Sequence, residues 1–98
     1  MAAKLHDRLA KTAITHNVNM LVPWYLMASF AYYQLDTPVL TDGLFDDLCK
    51  QLDAAWDRIT HRHKALIERE ALAAGTCLLA RENYPAIVAG AVANLLNR

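Results

Sequence analysis

Fourteen consecutive residues, Met20 to Tyr33 (MLVPWYLMASFAYY), carry no charged side chain, and any fold must cover them. A bilayer span needs about 20 such residues, so the run is too short to cross a membrane. It begins well inside the chain, and no small-x-small cleavage pattern follows before Gln34 and Asp36, which argues against a secretory signal. A buried helix starting near Pro23 fits best, because proline is tolerated in a first helical turn. Pro38 biases Thr37 away from helical geometry, which predicts an end by about Leu35.

A helix that is apolar all round needs neighbours on every side. The chain has 98 residues, 55% of them hydrophobic, enough for one domain over residues 1–98 with its own core. That size excludes a cleft framed by two lobes. Ten Lys and Arg balance ten Asp and Glu, so disorder is excluded and a nucleic-acid backbone finds no electrostatic footing. Glycine and proline number three each, too few for the frequent turns of an all-β domain. Cys49 and Cys77 show no metal-ligand spacing and sit among apolar neighbours. They read as buried thiols in a reducing, cytoplasmic setting.

Helical periodicity supplies the neighbours. Leu5, Leu9 and Ala13 share one face of a helix expected over Ala3–Ile14, with Lys4, Asp7, Arg8 and Lys11 opposite. Thr15 to Asn19 interrupts it. After the connector at 36–40, Thr41 caps a new helix with Asp42 in its first turn. Phe45, Leu48, Leu52, Ala55 and Ile59 form its stripe, flanked by Trp56. Two helices joined by so short a link predict an antiparallel hairpin. A third long helix is expected from Arg62 to Ala80, buried all round from Ala71 onward, with a split at Gly75 as the alternative. Asn83 and Pro85 announce a last helix, Ala86–Leu96. The expected fold is all-α: a small bundle of four or five helices built on a central antiparallel hairpin.

The hairpin junction, Tyr32 to Leu48, concentrates the chemistry. Asp42 and Asp46 lie four apart, which puts both carboxylates on one helical face. Tyr32 and Tyr33 close the preceding helix. Paired carboxylates beside aromatic rings suit a cationic aromatic ring bearing sugar hydroxyls. Structural roles for the same residues are a helix-dipole contact for Asp42, an i,i+4 pair of Asp46 with Lys50, and core-edge packing for the tyrosines.

In register and without a gap, Tyr32, Asp36, Pro38, Leu40, Asp42, Asp46 and Leu48 match the pattern Tyr-His-x-x-Asp-x-Pro-x-(Ile/Leu)-x-Asp-x-x-Tyr-Asp-x-Leu. Residues 22–60 thereby resemble the N-terminal helical (Ia) domain of bacterial NAD-dependent DNA ligases, which grips the nicotinamide mononucleotide half of NAD. The resemblance implies that Tyr32 stacks on the nicotinamide while Asp42 and Asp46 take the ribose and carboxamide side, with Tyr33 and Asp36 at the pocket edge. Two positions depart from the pattern. Tyr33 replaces its histidine, and Phe45, which cannot donate a hydrogen bond, replaces its second tyrosine. Both bear on phosphate recognition.

The ligases' Lys-x-Asp-Gly nucleophile motif is missing: Lys4, Lys11, Lys50 and Lys64 open no such sequence. No catalysis is therefore expected of this chain alone. His61 and His63 are two apart with no third ligand spaced for zinc, and Ser29 has no activating partner nearby in sequence. Ala86, Gly90 and Asn94 share one face of the last helix, with Ala89 and Ala93 beside it. That surface suits packing within the bundle, or against a partner or second copy. Two function classes follow. One is a nicotinamide mononucleotide or NAD binder accessory to ligation or NAD-linked metabolism. The other is a protein-interaction module, such as a phage or bacterial factor acting on host machinery. Neither calls for direct nucleic-acid or membrane contact.

Overall fold

The uncharged run forms the central helix of the molecule. A computed structural model describes residues 5–77 and 79–97. After a first helix, α1 (Asp7–His16), and a 3₁₀ turn at Val18–Met20, α2 spans Leu21–Ser29 and continues through a π-helical turn, Phe30–Gln34. Leu21, Val22, Trp24, Tyr25, Leu26, Ala28 and Ser29 are all buried, and only Pro23 and Met27 are half-buried along α2. Pro23 lies in its first turn, as expected. The further helices are α3 (Asp42–Ala54), α4 (Arg69–Ala73) and α5 (Ala86–Leu96); there is no strand among the described residues.

α2 and α3 form the antiparallel hairpin. At its open end the Asn19 amide donates to Thr60 Oγ1 at 3.0 Å, and the Thr60 N–H donates back to Asn19 Oδ1 at 2.8 Å. At the other end Thr41 caps α3, its hydroxyl oxygen accepting the Leu44 N–H at 3.2 Å. α3 stops at Ala54 instead of continuing toward Ile59, and a 3₁₀ turn, Trp56–Arg58, follows. The stripe survives the change: Leu48, Leu52, Ala55 and Ile59 are buried.

Expectations for α1 and for the chain over 62–80 also need correction. Helix α1 starts only at Asp7, so Leu5 precedes it; Leu5 and Leu9 face solvent, 47% and 41% exposed, while Ala10 is buried. Polar ties set the rotation of this helix. Asp7, expected on the outer face, accepts the Thr41 N–H at 2.9 Å and its hydroxyl at 2.6 Å. His6 Nε2 lies 3.0 Å from the Leu95 carbonyl oxygen. Ala3 and Lys4 of the expected helix lie outside the described residues.

The long helix over 62–80 does not form. A 3₁₀ turn, Arg62–Leu66, is capped by His61, and α4 is only five residues long. Gly75, at φ +67°, ends α4 in the left-handed conformation. Its N–H donates to the Leu72 carbonyl at 3.1 Å and the Thr76 N–H to the Ala71 carbonyl, also at 3.1 Å. This is a Schellman closure, and it satisfies the helix-end carbonyls that a longer helix would have used. Only Ala71 and Leu72 of the apolar stretch are buried, while Ala73, Ala74 and Ala80 are exposed; Leu78 lies outside the described residues. Alanine offers too little area to draw the backbone inward.

α5 packs through Val88, Val92 and Leu95 and turns its small-residue face outward, so Ala86, Ala89, Gly90, Ala93 and Asn94 are exposed. Among buried polar groups, Ser29 donates to the Leu26 carbonyl at 3.1 Å, and its oxygen lies 2.9 Å from the Tyr84 hydroxyl. The thiols of Cys49 and Cys77 are free, and Cys49 is buried.

Burial, reinforced by the charge of Asp46 and by Cys77, pushes the Cys49 thiol from 9.0 up to about 12. Burial raises Tyr25 and Tyr84 in the same direction. The unfolded chain therefore releases these protons first, so this stability is complete below about pH 9 and is lost as pH rises toward 12. Urea midpoints measured across that range should fall steeply. Cys49→Ala should start lower, because it opens a cavity, and decline less steeply.

Candidate functional site

At the mouth of the hairpin, the end of α2 and the start of α3 leave a cavity of about 160 Å³. Tyr32, Tyr33, Asp42, Phe45 and Asp46 line it, with Ala28, Pro38, Leu40 and Gly75 completing the wall. Five of the six residues singled out in the sequence thus meet at one site. The sixth, Asp36, is not in the lining. It follows α2 with φ +52°, a left-handed conformation that short polar side chains tolerate better than most. Its observed role is to turn the chain out of the helix.

Each wall has a local origin. The π turn widens the last turn of α2 and places Tyr32 and Tyr33 outside the core while Ala31 stays buried. The two tyrosine rings meet edge to face, 4.9 Å between centroids and 80° between planes. Phe45 stacks on Tyr25, 5.8 Å apart and 10° from parallel. The connector supplies Pro38 and Leu40. The Thr41 cap fixes the start of α3, and helical spacing then brings Asp42 and Asp46 to the same side.

Gly75 supplies a wall that sequence reasoning did not assign. The Tyr25 hydroxyl donates to the Thr76 carbonyl at 2.7 Å, and the Tyr33 hydroxyl donates to Thr76 Oγ1 at 3.0 Å. These bonds hold the turn after α4 over the hairpin mouth. A Cβ on Gly75 would lie 2.9 Å from Asp46 Oδ1, so glycine leaves the carboxylate its place. One signal was available in the sequence: a lone glycine after a short apolar helical stretch is a common helix stop.

Electrostatically the cavity is acidic. It holds two carboxylates and no basic side chain. Asp46 also forms the i,i+4 pair with Lys50, 3.2 Å from Nζ to Oδ2, on exposed surface where such a pair adds little. Asp42 makes no ion pair among the described residues. No grouping of three potential metal-ligating His, Cys, Asp or Glu side chains occurs among the described residues. No helix among them is long and apolar enough to cross a membrane. No protein-family model, curated protein sequence or solved structure matches the chain.

Gly75→Ala should cost roughly 1–2 kcal/mol in chemical denaturation, the penalty of a left-handed alanine, and should move the Asp46 resonances. Asp36→Gly should leave stability equal or higher, because glycine relieves the same strain. Asp36→Val should lower it. A loss on Asp36→Gly would mean that the Asp36 carboxylate itself holds the turn.

Proposed function

We propose that the chain binds the nicotinamide mononucleotide part of NAD at the hairpin mouth, as a non-catalytic accessory to ligation or NAD-linked metabolism. One observation carries this reading: Tyr32, Asp42, Phe45 and Asp46 converge on a single acidic, aromatic-walled cavity. A positively charged pyridinium ring fits that environment, with attraction from the carboxylates and contact with the aromatic faces. The cavity of about 160 Å³ suits the ring, leaving the ribose at the carboxylates and the phosphate outside.

The same lining sets the affinity. No basic residue faces the cavity to neutralise a phosphate, and Phe45 brings no hydroxyl. Binding should be weak, about millimolar or roughly 4 kcal/mol. The uncharged-tail analogue nicotinamide riboside should bind at least as well as the mononucleotide. Amide shifts followed by NMR during both titrations should localise to residues around Tyr32 and Asp46. Tyr32→Ala and Asp46→Ala should each abolish them while leaving the folded spectrum intact. No localised shift up to about 10 mM ligand would sink this reading.

The exposed small-residue face of α5, with Ile87 66% exposed beside it, favours the second reading, a protein-interaction module or homodimer. Light scattering tests the homodimer: a mass of twice 11.0 kDa that reverts to the monomer on Ile87→Glu supports it.

A further inference from the structure

A second cavity, of about 260 Å³, opens between the first turns of α2, the 3₁₀ turn at Arg62–Leu66 and α5. Its two sides differ in chemistry. α2 and α5 contribute only apolar side chains, among them Pro23, Met27 and Ile87, and no ionisable group. The third side consists of His61, Arg62 and His63. No carboxylate lines this cavity, the reverse of the hairpin mouth.

The rim is arranged for donation. His61 Nδ1 accepts the His63 N–H at 3.0 Å, so the neutral ring carries its proton on Nε2 and is a donor there. The His61 and His63 rings lie 5.2 Å apart. Arg62 is exposed and forms no ion pair among the described residues. Burial, with His63 and Arg62 beside it, holds His61 below the ordinary imidazole value. Near neutral pH the rim therefore offers a permanently charged guanidinium and an imidazole donor over an apolar floor.

We propose that this cavity binds a small monocarboxylate with a compact hydrocarbon body, its carboxylate held by Arg62 and His61 and its body against Met27 and Ile87. The carboxylate matches the planar guanidinium fork. The flexible thioether of Met27 adapts to the hydrocarbon, and binding would cover Ile87, the most exposed large hydrophobic side chain described. The cavity, about 260 Å³, is large enough to take a body the size of octanoate or phenylacetate. This site is separate from the hairpin mouth, and each reading stands or falls without the other.

The test is an NMR titration of the full chain with octanoate, with octanol and octylammonium as controls. Octanoate should shift the Met27 and Ile87 methyl signals and the His61 ring, and should raise the pH at which that ring titrates. Octanol should bind at least about tenfold more weakly, and Arg62→Gln should weaken octanoate by about tenfold, the loss of one charge-assisted contact. Ile87→Ala, at a surface position, should weaken octanoate and octanol alike. Equal binding of octanol and octanoate, an unchanged affinity in Arg62→Gln, or shifts centred on Tyr32 and Asp46 would each overturn the proposal. So would a lack of shifts at Met27, Ile87 and His61 up to about 10 mM.

Discussion

The hydrogen bond from the Tyr25 hydroxyl to the Thr76 carbonyl, at 2.7 Å, joins the centre of the core to the turn that closes the candidate site. The Tyr25 residue is 1% exposed, so its polar oxygen must find a partner inside the protein. The turn after α4 presents that partner because Gly75 ends the helix there. Phe45 packs on the ring of the same tyrosine, and Tyr33 grips Thr76 from the rim. Without Tyr25's bond, the Gly75 wall and the seat of Phe45 lose their common support. The residue after Thr76, Cys77, belongs to a second polar group, its thiol 3.4 Å from the Tyr84 oxygen and that oxygen 2.9 Å from Ser29 Oγ.

What could be read from the sequence was what is encoded locally. The uncharged run specified a largely buried helix. Pro38 and Thr41 marked the end of one element and the cap of the next. The four-residue spacing of Asp42 and Asp46 placed two carboxylates together before any tertiary contact was known. These features depend on neighbours within a turn or two.

What escaped was set at long range or by competition between weak preferences. The rotation of α1 depends on Asp7 meeting Thr41 across 34 residues, which outweighs two exposed leucines. The apolar appearance of Ala71 to Ala80 suggested burial, yet alanines bury little and a single left-handed glycine ends the helix. The π turn has no sequence signature, although it decides where both rim tyrosines point. Gly75 belongs to the site only because the chain returns to the hairpin some thirty residues after Asp46.

The reciprocal amide pairing of Asn19 with Thr60 has a consequence for how the protein comes apart. It involves no group that titrates in the working range and no full charge that salt would screen. The opposite end of the hairpin is held through ionisable side chains, Asp7 on the Thr41 cap and tyrosine hydroxyls on Thr76. Burial holds the Tyr25 hydroxyl far above the ordinary phenol range, so alkali ionises it only once the Thr76 turn has opened, while the far end offers alkali no group to act on. Relative to the amides beside the Asn19 clasp, those of the Thr76 turn should lose protection against solvent exchange as pH rises.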